Sequence, residues 1–456
     1  MRPVSHAFVV ALRNPISRVG VSLTTASGLL FLVLLALDLA GFLENPYTGI
    51  LLFIMVPALF VIGLLLIPAG LSSQRRRAAR GLAGPAWPRI DLNDPGIRGT
   101  VLFLIVATLV NLAIISIASY GAVEYTQSGT FCGQVCHAVM EPEFVAHQNG
   151  PHGRVACVAC HMGPGAGGFL TAKLNGARQL VLAVAGTHSR PIPTPLARLP
   201  DVRTSCERCH WSDRFAGDKI KAFYEHAADE ANTQTKTIVR LHLGGPEAGT
   251  GGGTGIHWHM NRANAIEYVA LDDTREQIPY VRLATGDGRV REYFAAGVNE
   301  ADLVGKPRRR MDCVDCHNRP AHRFGASPER AVDAAIGEGL ISTGIPFIRR
   351  EAVRALRADY STQEAGITAI DRSIRDAMNA RLPNAFDEAE LRRAIGVTQA
   401  IYRNSVFPSM KVGWGTYPNQ MGHTVSTGCF RCHDDGHKTR DGVVIRQECE
   451  LCHTIE

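Results

Sequence analysis

The chain has 456 residues, 46% hydrophobic and 20% charged, with a formal net charge of +6. These averages are ordinary for a globular protein and exclude a low-complexity chain, but they hide a division. Residues 1–98 hold nine Arg, no Lys and four acids, a net +5, whereas the other 358 residues carry 39 basic and 38 acidic side chains, a net +1.

Three apolar stretches, from about Ile16 to Phe42, Thr48 to Leu71 and Thr100 to Tyr120, approach or exceed the roughly 20 residues a bilayer requires. Arg2, Arg13 and Arg18 precede or open the first, and Arg75, Arg76, Arg77, Arg80, Arg89 and Arg98 lie between the second and third. The turn from Leu43 to Tyr47 has no Lys or Arg. The positive-inside rule therefore puts the N-terminus and the arginine loop in the cytoplasm, and everything after Tyr120 on the outer, periplasmic side of the cytoplasmic membrane. The first stretch is too long for a signal-peptide core and is followed by a second span, so it is read as a permanent anchor.

Beyond the spans, six motifs use all twelve cysteines. In chain order they are Cys132-Cys136-His137, Cys157-Cys160-His161, Cys206-Cys209-His210, Cys313-Cys316-His317, Cys429-Cys432-His433 and Cys449-Cys452-His453. The first has three residues between its cysteines, the others two. Zinc ribbons and thioredoxin-like dithiols also use paired cysteines, but neither needs a histidine directly after the second. Covalent haem needs all three: two thiols for the porphyrin vinyls and an imidazole for the iron. The motifs predict six haem c groups. Their propionates add roughly −12 when ionised, which makes the outer domain acidic, suits a partner that docks through basic residues and argues against nucleic acid.

The motifs divide the chain into a membrane anchor (1–120), a cluster of three haem sites (121–215), a glycine-rich and β insert (216–310), the fourth site (311–326), a helical insert (327–408) and a terminal two-haem segment (409–456). Gly244 to Gly255 reads as a loop, and the partial alternation from Ala265 to Tyr293 around Gly286-Asp287-Gly288 as antiparallel strands. Glu329–Leu340, Phe347–Tyr360 and Asp387–Tyr402 have helical periodicity. The expected fold is mainly α: three N-terminal transmembrane helices, then a loop-rich haem domain with short helices and a small β insert.

Eleven histidines lie outside the motifs; His6, on the cytoplasmic side, is excluded as a ligand. A histidine about five residues from a motif has at most ~17 Å of chain with which to round its own porphyrin. His152, His322 and His437 are therefore candidate sixth ligands for a neighbouring haem. His188, His226, His257, His259 and His423 are further candidates, and His147 and His242 are less favoured. Met140, three residues after His137, is a candidate of another kind, since a thioether also binds haem iron; packing is its alternative role.

The third span running into Cys132, the stretch His152-Gly-Arg-Val-Ala-Cys157-Val-Ala-Cys160-His161 and Cys206-Glu-Arg-Cys209-His210-Trp211 resemble the NapC/NirT/NrfH family of membrane-anchored multihaem cytochromes. Gly255-Ile-His257-Trp-His259, Cys313-Val-Asp-Cys316-His317-Asn-Arg-Pro320 and Cys429-Phe-Arg-Cys432-His433-Asp434 look like an extended branch of it. The resemblance implies quinol dehydrogenases that pass electrons from the membrane quinone pool to extracytoplasmic reductases, as in anaerobic respiration. In that family a methionine just after the first motif can ligate the first haem, and a lysine after the second lies near the quinol pocket. Met140 and Lys173 occupy comparable places. The extra residue in the first motif, and a methionine three rather than two positions beyond the histidine, leave His137 and Met140 both open as ligands. The usual member has one anchor helix, so the first two spans are an addition.

None of the three spans contains a histidine, which rules out a bis-histidine haem b inside the membrane. Electrons then enter at the outer face, and the simplest donor is menaquinol or ubiquinol. Asp38, near the outer end of the first span, is a candidate proton acceptor, with an interfacial carboxylate as its bland alternative. The expected function is relay of quinol electrons along the haems to an extracytoplasmic redox protein. Two rivals stand: an electron-relay subunit whose membrane partner holds the quinol site, and a multihaem reductase with one open haem.

Overall fold

The computed structural model describes residues 14–43, 45, 47–78, 93, 95–135, 137–196, 199–211, 216–246, 253–381 and 386–456. Arg2, His6, Arg13, Arg80, Arg89 and Cys136 lie outside these, and of His137 only the backbone is described. The chain divides into two compact units, Met1–Val135 and Cys136–Glu456.

The first unit contains helices α1 (Pro15–Leu39), α2 (Val56–Ala78) and α3 (Pro95–Tyr125). Segments Pro15–Leu39, Thr48–Gln74 and Ile105–Tyr125 are long and apolar enough to cross a membrane. Lipid gives apolar helices no hydrophobic reason to associate, so close packing must do it. Accordingly α1 and α2 meet through small residues: a Cβ on Gly20 would lie 2.8 Å from the Gly63 carbonyl oxygen, and one on Gly63 2.7 Å from the Thr24 nitrogen. Asn14, the N-cap of α1, donates from Nδ2 to the Gly70 carbonyl at 2.6 Å, and Ser17 Oγ to that of Ile67 at 3.1 Å. Phe31, Leu52, Val56, Phe60, Ile114 and Ala118 fill the interior.

The second unit begins with α4 (His137–Gln148), a one-turn helix at Val158–His161, α5 (Gly165–Val184) and another turn at Val202–Cys206. Strands β1 (Asp218–His226) and β2 (Gln234–His242) form a hairpin that the sequence reading had not singled out. Their exposed Lys and Glu positions blur the alternation on which strand recognition depends. The glycine-rich run closes at its ends as β3 (Gly245–Pro246) against β4 (Gly253–Thr254). The expected antiparallel strands are β5 (Ala265–Val269), β6 (Tyr280–Ala284) and β7 (Val290–Phe294), with β8 (Arg309–Arg310) added in the order β7-β6-β5-β8. Gly288 takes the left-handed φ of +83° that the β6–β7 turn requires.

Helices α6 (Pro328–Gly337), α7 (Ile348–Arg357), α8 (Gln363–Arg381) and α9 (Glu388–Ser405) follow. Side-chain caps from Ser327 and Asp387 set the starts of α6 and α9. The apolar faces close on Val332, Ile348, Ala352, Ile370, Ile374 and Leu391, all fully buried. The chain ends in β9 (His453–Ile455), which joins β2 through Leu241↔His453.

Candidate haem sites

In a helical turn, positions i, i+3 and i+4 share a face, which is what a porphyrin held by Cys-x-x-Cys-His demands. The backbone has that form at four motifs. The N–H groups of His161, His210, His317 and His433 donate to the carbonyls of Cys157, Cys206, Cys313 and Cys429 at 3.0, 2.9, 2.8 and 3.0 Å. At the first motif the chain instead forms a π-helical turn over Thr130–Val135.

Two imidazoles on opposite sides of one iron, each bound at roughly 2 Å through a ring nitrogen, have centroids on the order of 6 Å apart. Five motif histidines face a second imidazole at such a separation. His161 faces His322 at 6.1 Å, His210 faces His152 at 6.0 Å, and His317 faces His257 at 6.3 Å. His433 faces His259 at 5.8 Å and His453 faces His423 at 5.9 Å. His257 and His259 sit on one 3-10 turn, Ile256–Met260. With three residues per turn, two positions apart point about 120° away from each other, so one turn addresses two motifs.

The second ring nitrogen fixes orientation. Nδ1 of His152, His259 and His322 lies 3.0, 2.7 and 2.8 Å from the carbonyls of Pro320, Ile256 and Glu143. An N–H donated there leaves Nε2 with its lone pair outward, the tautomer a metal ligand needs. Burial also lowers the pKa of His161, His257, His259, His317 and His322, favouring the neutral form.

Other candidates are engaged elsewhere. Buried His226 has Nδ1 3.3 Å from an Asp333 oxygen and Nε2 3.1 Å from Gln234. Buried His437 has Nδ1 2.9 Å from Asp434 and Nε2 2.7 Å from the Ile278 carbonyl. Both nitrogens of each ring are thus within hydrogen-bond reach of protein groups. His188 accepts from Arg190 Nε at 3.1 Å, His242 lies 3.0 Å from Asp218, and buried His147 lies 5.8 Å from the His322 ring. Met140 is on α4 and Lys173 on α5, with its Nζ 5.3 Å from the centre of the Phe169 ring. Asp38 is exposed near the end of α1.

A model of the NapC/NirT cytochrome c family, N-terminal region, matches residues 96–192. The chain is also 37% identical over 452 residues to the cytochrome c-type protein ImcH of Geobacter sulfurreducens, covering 97% of this chain and 88% of that one. The chain belongs to the NapC/NirT cytochrome c family. No solved structure matches it.

A NapC/NirT cytochrome binds haem c covalently, and the residues present fit that group. The eleven described cysteines are all free of disulfides, and each of five motif histidines has an imidazole opposite it. Haem c, which the motif cysteines and histidines would hold, would supply one-electron chemistry. What the protein supplies is orientation. Glu143 and Arg319, which the sequence reading did not single out, hold His322: Arg319 Nη2 donates to both Glu143 carboxylate oxygens at 2.9 Å, and that carboxylate lies 3.3 Å from His322 Nδ1. The Arg319 guanidinium stacks 3.8 Å from the Tyr417 ring centre. Asp315, inside the fourth motif and 2% exposed, accepts from Tyr268 at 2.7 Å, Arg275 at 2.8 Å and Arg309 at 3.0 Å. Arg431, inside the fifth motif, donates to the Asp315 carbonyl at 2.5 Å and clasps the two motifs together.

Proposed function

We propose that this membrane-anchored cytochrome takes electrons from membrane quinol at the outer face and relays them through six haems to an extracytoplasmic redox protein. The observation that carries the reading is the order in which the motifs touch. The turn at Val158–His161 in the second packs beside that at Val202–Cys206 in the third, which in turn packs beside Cys313–Asp315 of the fourth. Arg431 of the fifth donates to the Asp315 carbonyl of the fourth, and Phe430 of the fifth stacks on His423, which faces His453 of the sixth. Five motifs therefore follow one another in space as in sequence, an arrangement suited to one route of transfer.

In this reading the first haem is held by Cys132 and Cys136, with His137 or Met140 at its iron, and lies at the entry. His322, His152, His257, His259 and His423 are the sixth ligands of haems two to six in that order. Lys173 orients the quinol oxygen and stabilises negative charge developing on it, and Asp38 accepts a proton. The second imidazole opposite each of five motif histidines disfavours the reductase with an open haem at any of those sites. Intact mass in denaturant should show six haems. A menaquinol analogue should reduce the purified protein without other subunits, and Lys173→Ala should slow that reduction while dithionite reduction is unchanged. If no quinol analogue reduces the wild type but a co-purifying membrane subunit does, the quinol site belongs to that subunit.

A further inference from the structure

Helix α5 stands apart from the rest of the second unit. It runs 20 residues, about 30 Å, and none of them is buried. At 100° per residue Leu170, Leu174, Ala177, Leu180, Val181 and Val184 fall within an arc of about 120°, and that arc is the outward face. Its large side chains are exposed, from 49% at Leu180 to 83% at Val184. The half-buried Gly168, Ala172, Asn175, Leu182 and Ala183 lie on the opposite side and Phe169 at the margin, while half-buried Lys173 falls within the arc of the stripe, near its Leu180 edge. This helix thus turns its apolar stripe outward, the reverse of a helix packed on a soluble core.

We propose that α5 lies in the plane of the bilayer, with the Leu170–Val184 stripe seated at the headgroup–acyl boundary. Its chemistry selects lipid over a protein partner. The helix carries Lys173 and Arg178 and no acid, matching an anionic headgroup layer. It belongs to a chain already anchored by three spans, and its start comes forty residues after the last of them ends at Tyr125. It is not among the described helices apolar enough to cross, as a helix with a low net hydrophobicity that lies on the surface should not be. The proposal needs the membrane anchor but not the quinol reading.

Spin labels on single added cysteines test it in full-length, haem-loaded protein in nanodiscs containing anionic lipid, since the native thiols are occupied by haem. Labels at Leu174→Cys and Val181→Cys should collide with oxygen at least tenfold more readily, relative to a water-soluble nickel chelate, than a label at Gln179→Cys on the other face. Equal chelate access at all three positions overturns the proposal. So does protection of positions 174 and 181 from both reagents, which would mean that a second copy or another protein covers the stripe. An unchanged haem spectrum confirms folding of each variant, and either stripe position suffices if the other fails. The readout is collision rate, so its failure is separate from any failure of quinol reduction.

Discussion

The second unit contains two regions built on opposite principles. The helical insert from α6 to α9 has a side-chain core: Val332, Ile345, Ile348, Ala352, Ile370, Ile374 and Leu391 are all fully buried. From residue 148 to 217, where the second and third motifs lie, no described residue is buried at all. The insert can bury enough apolar surface to offset its chain entropy. The motif segment does not do so with side chains, and thioethers and iron ligands to the proposed haems would tie it down instead. One region is a protein core, the other a wrapping.

The largest expected effect follows from that contrast. Cys206→Ser with Cys209→Ser, which prevents attachment at the third motif, should leave residues 148–217 open to limited proteolysis while α8 and α9 keep their amide protection. Equal loss in both regions would show that they fold as one cooperative unit.

The Arg319–Glu143 pair bridges α4 and the fourth-motif segment and is largely buried, with side chains 13% and 11% exposed. Arg319→Met leaves the Glu143 charge uncompensated and should cost about 3–5 kcal/mol. It should also shift the potential of one haem, the one whose iron His322 would ligate, because the carboxylate beside Nδ1 then carries its full charge. A redox titration checks this, and all haems moving together would count against a local role.

Ile374→Ala should cost about 2–5 kcal/mol by opening a cavity in the insert. The visible haem spectrum should stay as it is, since Ile374 belongs to the side-chain core alone. Denaturation followed by far-ultraviolet circular dichroism gives the cost. A changed haem spectrum would erase the distinction between the regions.

The smallest effect is on alkaline stability. Burial, with Tyr360 nearby, pushes the Tyr402 hydroxyl up to about 12 from its ordinary 10. Between those values the unfolded chain releases the proton and the folded chain keeps it, so stability is full below pH 10 and falls as pH rises to 12. Tyr402→Phe should flatten that fall in the insert, as measured by unfolding at pH 9 and pH 11.5.

The two regions also differed in how they could be read. Helical periodicity marked Glu329–Leu340 and Asp387–Tyr402 because the insert obeys the hydrophobic pattern, and the structure places α6 and α9 there. In the motif segment that pattern is silent, and the information lies in the cysteines and histidines. Local chemistry announced each motif histidine, but its facing partner depends on where the chain returns. His322 meets His161 across the fourth-motif loop, and His423 meets His453 only because β9 closes on β2. The engagement of His226 by Asp333 and of His437 by the Ile278 carbonyl was equally invisible, since both partners are far away in sequence. Glu143 carried no sequence signal, whereas Arg319, two residues after His317, stood beside a motif and could have been weighed.

The central claim is that five irons each lie between two imidazoles. Electron paramagnetic resonance of the fully oxidised protein tests it most directly. The facing rings span nearly parallel planes, 7° at His257–His317, to nearly perpendicular ones, 72° at His152–His210 and 78° at His259–His433. The account predicts low-spin signals of both kinds, rhombic from the parallel pair and strongly anisotropic from the perpendicular pairs, with at most one haem of other ligation. High-spin signals from two or more haems would contradict it.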